Sequence, residues 1–159
     1  MIKKIDNNDL AAAVELANQV FYEFIADGYT DEGRQTFTDY LDFKLEEMAE
    51  DLETGHKTLW GYYKDKRIVG VIGTRDCFHV SLMFVDKKYH QQGIARALFD
   101  TVLADLKSQQ PKPFEMTVNS SPYAVAVYQR FGFVATATEQ VNKGIRFVPM
   151  KLKVNGEIK

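Results

Sequence analysis

The chain has 159 residues, 45% hydrophobic and 26% charged, with 20 basic against 22 acidic side chains for a formal charge of −2. That length and balance fit one soluble globular domain with a buried core and exclude a disordered or fibrous chain. Without a dense Lys or Arg run nucleic acid is an unfavourable partner, and apolar stretches such as Val80 to Val85 fall far short of the roughly 20 residues of a membrane helix.

The opening residues lack the basic-then-apolar layout of a secretory signal, so a cytoplasmic protein is expected. Cys77 is the only cysteine, which excludes an internal disulfide and a cysteine-based zinc site. His56, His79 and His90 show no HExxH-type spacing, so no metal site is expected.

A short strand is expected at Ile2 to Ile5, then a helix capped by Asn7 or Asn8, with Leu10, Ala13, Val14, Ala17, Phe21 and Phe24 at the 3.6-residue period and Gly28 as its end. A second helix follows from Phe37, Leu41, Leu45, Met48 and Leu52, with Gly55 as its stop and Glu46, Glu47, Glu50, Asp51 and Glu53 as a solvated face. Thr58 to Tyr63 and Ile68 to Thr74, joined by Lys64-Asp65-Lys66, read as an antiparallel hairpin. Cys77 to Val85 reads as a third strand. Strict alternation puts Phe78, Val80, Leu82 and Phe84 on one face and Cys77, His79, Ser81 and Met83 on the other.

After a loop over Asp86 to Gln92, a helix begins near Gly93, with Ile94, Ala97, Leu98, Thr101, Val102 and Leu106 facing the core. Pro111 and Pro113 close it. A strand over Phe114 to Val118 leads into a helix opened by Pro122, with Ala124, Val127, Tyr128 and Phe131 buried and Gly132 as its end. Phe133 to Thr138 and Arg146 to Val154 complete the sheet, Pro149 suggesting an edge position or a bulge. Hairpins first and strand-helix-strand units later imply a mixed sheet with helices on both faces.

The chemistry concentrates where the third strand gives way to His90-Gln91-Gln92-Gly93-Ile94-Ala95-Arg96 and a helix. A helix N-terminus offers unpaired N–H groups and the positive end of a dipole, and Gly93 and Ala95 let a phosphate approach that backbone. The same small residues could serve only close packing of strand on helix. GxGxxG and GxxxxGK[ST] are both absent, which argues against dinucleotide and P-loop readings.

This segment resembles the pyrophosphate-binding motif of the GCN5-related N-acetyltransferases (GNAT), R/Q-x-x-G-x-G/A, with His90 in the first position. Downstream, Asn119 to Phe133 resembles the family's N-x-x-A-x-x-x-Y-x-x-x-G-F region, with a longer Asn-to-Ala spacing. The resemblance implies an α/β (mixed α+β) fold of the GNAT-like acyl-CoA N-acyltransferase type over residues 1–159. Such a fold has a central mixed, mostly antiparallel sheet with splayed parallel strands and helices on both faces.

It also implies acetyl-coenzyme A as cofactor. The loop and helix start at Gln91, Gln92, Gly93, Ile94, Ala95 and Arg96 would hold its pyrophosphate, the strand backbone at Met83, Phe84 and Val85 its pantetheine, and Asn119 would act near the end of the next strand. By itself Asn119 suits a turn or helix entry equally well.

Tyr128 matches the family tyrosine that donates a proton to the departing thiolate. With a thiol near pKa 8.5 and a tyrosine near 10, full transfer is uphill by about 2 kcal/mol, so such a hydroxyl would stabilise the leaving group more than drive the step. On helical period alone Tyr128 reads as a core aromatic. An amine of pKa near 10.4 is almost wholly protonated at neutral pH and needs a base or a water chain. His79, beside Ser81 on the polar-bearing face, is the leading base, and a buried structural histidine is an equal reading. Tyr22 and Tyr29, off the stripe of the first helix, are the remaining candidates for an amine substrate together with His79 and Ser81.

Direct transfer of acetyl to a primary amine in a ternary complex is the function so implied, with a non-catalytic acyl-coenzyme A sensor as the alternative. The acceptor is a small-molecule or peptide amine, and an exposed edge strand near the C-terminus could pair two copies into a homodimer.

Overall fold

The computed structural model describes residues 1–43, 45–76, 78–110 and 112–155. Cys77 and Pro111 lie outside the described residues. The strands are β1 (Ile2–Lys4), β2 (Lys57–Lys64), β3 (Arg67–Arg75), β4 (His79–Val85), β5 (Phe114–Ser120), β6 (Val134–Ala135), β7 (Gln140–Asn142) and β8 (Ile145–Val154). They form one sheet in the order β1-β2-β3-β4-β5-β8-β6, with β7 hairpinned onto β8. The pair β4–β5 is parallel and the other pairs are antiparallel. The helices are α1 (Leu10–Val20), α2 (Asp31–Phe43), α3 (Leu45–Thr54), α4 (Ile94–Gln109) and α5 (Val125–Phe131).

Each sheet face buries one apolar stripe. On one side Leu98, Phe99 and Val102 of α4 and Tyr128 of α5 pack against Val69, Val80, Met116 and Met150. On the other, Leu10, Ala13, Ala17 and Val20 of α1 pack with Ile5, Leu59, Val71 and Phe84. Removing such side chains from water stabilises the fold by roughly 1.5–3 kcal/mol each. Phe99, absent from the expected α4 stripe, is only 1% exposed and stacks on Phe131 at 4.5 Å.

Several local expectations are corrected. The residue before α1 is Asp9, whose side chain accepts from Tyr63 Oη instead of capping, while Asn7 donates to Glu53 of α3. After Val20 the path widens into a π-helical turn (Phe21–Ile25) and tightens into a 3₁₀ turn ending at Gly28. The single second helix is two, α2 against β8 and α3 against β2. Pro149 sits in β8 between β5 and β6, neither at an edge nor in a bulge. It is tolerated because β6 has only two residues and stops opposite Met150, and Pro149 still accepts from the Thr136 amide through its carbonyl.

The alternation expected for the third strand also fails, and the reason shapes the molecule. Gly73 pairs with Leu82 but Thr74 pairs with Val80, so Ser81 is an extra residue in β4. This bulge flips the pleat: Phe78, Val80, Met83 and Val85 pack toward α4, while Leu82 and Phe84 pack toward α1. Gly73 makes room for it, since a Cβ there would stand 3.2 Å from Ser81 Oγ and 2.6 Å from Leu59.

Candidate functional site

β4 and β5 are in register only at His79–Thr117 and Val80–Val118. Beyond the Ser81 bulge β4 turns away, while β5 stays paired to β8 as far as Ser120. A parallel pair that closes at one end and parts at the other leaves backbone groups of both strands facing a gap. That gap is part of a cleft of about 990 Å³ lined by Met83, Phe84 and Val85 on one wall and by Asn119, Ser120 and Tyr128 on the other.

At its wide end the cleft meets the start of α4, where Gln91, Gly93, Ile94, Ala95 and Arg96 line it. Gly93 adopts the left-handed conformation (φ 78°), as Gln91 does (φ 62°), and a Cβ at Gly93 would meet nothing within 4 Å. The first bond of the helix runs from the Ala97 amide to the Gly93 carbonyl at 2.9 Å, so the Ile94, Ala95 and Arg96 amides precede the helical ladder and point along its axis. With the helix dipole they form a seat for an anion. Arg96 adds a cation fixed by Asp100, the Arg130 carbonyl and the Phe131 ring. Gln92 is the exception among the loop residues: it does not line the cleft, and its side chain accepts from Lys64. His90 donates from Nε2 to the Val85 carbonyl at 2.8 Å, tying the loop to the end of β4.

Asn119 is within β5, opposite Pro149, and the residue that caps the next helical turn is Ser121, whose hydroxyl accepts from the Ala124 amide. Tyr128, on α5, is 4% exposed and is held edge-on by Phe131 and Phe133. Among the described residues its hydroxyl has no hydrogen-bond partner, and burial raises its pKa well above the ordinary 10.0. The phenol therefore keeps its proton throughout the physiological range.

At the closed end of the gap, His79 Nδ1 is 2.7 Å from Thr117 Oγ1. Burial lowers the pKa of His79 from 6.5, helped by the Arg75 charge and opposed by Asp76. The imidazole is therefore neutral at pH 7 and able to accept a proton.

Toward the Val85 end of β4, a further wall of the cleft is built by α2 and the β7–β8 hairpin. Gly33 lies so close to Gly144 that a Cβ would overlap the Gly144 carbonyl, and Thr36 donates to the Lys143 carbonyl at 2.9 Å. Tyr29 donates to the Arg146 carbonyl at 2.7 Å and lines the cleft. Ser81 lines it too. Tyr22 does not: it is 47% exposed and shares a 2.6 Å hydrogen bond with Thr38. Sequence reasoning missed Ser120 and Ser121, whose small size beside Asn119 was the available signal, and missed Arg75, Lys143 and Arg146, which only the tertiary fold brings to the cleft.

The pattern of the acetyltransferase (GNAT) domain matches residues 25–154. The chain belongs to this family. Among solved structures, a GCN5-related N-acetyltransferase from Rhodopseudomonas palustris superposes with a TM-score of 0.79 at 15% identity, covering 97% of this chain and 95% of that one. The PaiA N-acetyltransferase from Thermoplasma acidophilum, solved in complex with coenzyme A, gives 0.77 at 15% identity, covering 97% and 98%. The UPF0157 protein YqkA of Bacillus subtilis (strain 168) is 27% identical over 104 residues, 64% of this chain, and the match spans only 30% of that longer protein.

The GNAT fold thus accounts for the mixed sheet and the parted β4–β5 pair. Among the described residues of this GNAT chain no helix is long and apolar enough to cross a membrane, and no group of three or more His, Cys, Asp or Glu is placed to hold a metal ion.

Proposed function

We propose that residues 1–159 form a single acetyl-coenzyme A-dependent N-acetyltransferase domain that acts on a primary amine by direct transfer. The observation that carries this reading is the continuous path from the α4 amides, through the gap between β4 and β5, to the Tyr128 hydroxyl, which has no hydrogen-bond partner among the described residues. The residues fit a coenzyme A thioester: amides and Arg96 for its diphosphate, and a gap flanked by strand backbone for its pantetheine. Bound there, acetyl-coenzyme A supplies an activated acyl carbon.

The chain's own groups then have defined tasks. The Ile94, Ala95 and Arg96 amides would donate to the diphosphate, and backbone groups of Met83 to Val85 would orient the arm that follows it. Tyr128 holds its proton ready for the sulfur as the carbon–sulfur bond breaks. His79, neutral and half-buried, accepts the proton that the amine loses as the carbon–nitrogen bond forms. The products are an amide and the free thiol. Among the described residues His79 is hydrogen-bonded to Thr117 and not to a serine, so the cleft offers no serine activated by that base for a route through an acyl-enzyme.

Calorimetry with coenzyme A, and thiol release from acetyl-coenzyme A across a panel of primary amines, test the reading. Cofactor binding with amine-dependent thiol release is expected. Binding without transfer to any amine would leave a sensor, and no binding would overturn the reading altogether.

A further inference from the structure

The cleft changes character from one face of the sheet to the other. Past the Ser81 bulge Met83 and Val85 pack toward α4 and Phe84 toward α1, so the diphosphate seat and the wall around Phe84 meet the same stretch of β4 from opposite faces. That wall is built by aromatic packing. Phe37 stacks on Phe21 at 3.9 Å and meets Phe84 edge-on at 6.1 Å, while Tyr29 stands edge-on to Phe21 at 5.3 Å. Phe21, Tyr29 and Phe84 are buried, which leaves Phe37, with Ile25, Ile145 and Phe147, half-buried and lining the cleft. Ile145 and Phe147 are alternate residues of β8 and share a face, and the bond from Thr36 to the Lys143 carbonyl holds their hairpin against α2.

The polar groups of this wall are already engaged. Tyr29 donates to the Arg146 carbonyl, the Thr36 hydroxyl to the Glu32 and Lys143 carbonyls, and Arg146 to Glu139 and the Gly28 carbonyl. Among the described residues that line the cleft there is no Asp or Glu, and the charges beside the wall, Lys143 and Arg146, are both positive. A second ammonium on the acceptor would lose hydration here with no carboxylate to replace it and two like charges near it. Aromatic faces attract cations, but one face of Phe37 is covered by Phe21.

Resting on the acetyltransferase reading, we propose that the acceptor is a monoamine with an uncharged alkyl or aryl body, the body lying against Phe37, Ile145 and Phe147 and the amine directed at the gap between β4 and β5 beside Leu82. Apolar body and apolar wall leave water together, and the single amine reaches the one place where its charge is to be lost. Leu82 stands three positions from His79 along β4, on the order of 10 Å, so the proton shed by the amine travels to the imidazole through water and not by direct contact. Polyamines are excluded by the same wall.

The test compares phenethylamine, butylamine and putrescine by calorimetry, on the protein saturated with coenzyme A and again without it. Butylamine should bind about tenfold more tightly than putrescine, which differs from it by one ammonium, and phenethylamine should bind tightest of the three. Phe147→Glu, which sets a carboxylate in the wall, should reverse the order of butylamine and putrescine. Phe37→Ala should weaken phenethylamine about fivefold and leave putrescine unchanged, with a melting curve to show that the variant is folded; should it not fold, Phe147→Glu decides. Lys153→Gln, on the exposed outer part of β8, should change nothing. Equal or tighter binding of putrescine by the unaltered protein, no binding of phenethylamine, or an order that survives Phe147→Glu would overturn the inference. Failure to bind coenzyme A would overturn the acetyltransferase reading, while the amines measured without cofactor still decide what the wall selects.

Discussion

His90 Nε2 donates to the carbonyl oxygen of Val85, five residues back in the chain, at 2.8 Å. The bond fastens the loop that presents the α4 amides to the last residue of the strand that forms one wall of the cleft. A ring so engaged acts through the backbone it positions, and it occupies the motif position where the family has Arg or Gln.

Replacing His90 with Ala should therefore weaken coenzyme A binding by about fivefold, close to the ~1 kcal/mol of one intramolecular hydrogen bond, with turnover at saturation little changed. His90→Gln, which can still donate to Val85, should restore most of the affinity. Calorimetry on both variants decides it: equal loss in Ala and Gln would show that the bond to Val85 is not what matters.

Tyr128→Phe removes an oxygen that has no hydrogen-bond partner among the described residues and keeps the ring contacts with Phe131 and Phe133. Turnover should fall about 10²-fold, within the usual range for a lost general acid, while coenzyme A affinity and melting temperature hold. Steady-state kinetics beside a melting curve checks both halves. Unchanged turnover would remove Tyr128 from the chemistry.

His79 makes a prediction of sign. An unfolded histidine titrates near 6.5 and His79 in the fold titrates lower, so between the two values the unfolded chain binds the extra proton. Stability must rise with pH through that window: the contribution is complete above 6.5 and is lost as pH falls through the folded value. Activity should follow the same limb, since only the neutral ring accepts a proton. Melting temperature and kcat/KM, measured between about pH 5 and 7 on the protein and on His79→Asn, should show both slopes reduced in the variant.

Gly33→Ala sets two effects against each other. Inside a helix the change is worth about 1 kcal/mol in favour of Ala, but the new methyl would collide with the Gly144 backbone, which cannot rotate away as a side chain could. Overpacking of this kind costs about 1–3 kcal/mol or more, so a net loss near 2 kcal/mol and a drop in melting temperature of roughly 5 °C are expected. A stabilised variant would mean that α2 and the β7–β8 hairpin do not meet as described.

Local rules made the α4 end of the cleft legible in the sequence. Gly93 before an apolar stripe announces a helix start, and the stripe itself announces which face is buried, because both depend on residues within one or two turns of each other. The hairpin at Asp65-Lys66, the stop at Gly55 and the left-handed end at Gly132 follow from the same short range of interaction.

The rest of the cleft was not legible. Arg75, His79 and Thr117 come from three strands and form one row only through the pairing of β3, β4 and β5, while Lys143 reaches the cleft near Phe37 and Phe84, toward the other end of β4, through the contact of α2 with a hairpin more than a hundred residues away. The bulge at Ser81 carries no residue signature. It is set by Gly73 on the neighbouring strand, whose missing side chain leaves room for one extra residue. Sequence alone determined where an anion can sit, since that depends on a helix end and its glycine. Tertiary packing alone decided where the strands part and which charges line the cleft, because pairing and long-range contact energies have no counterpart in the order of residues along the chain.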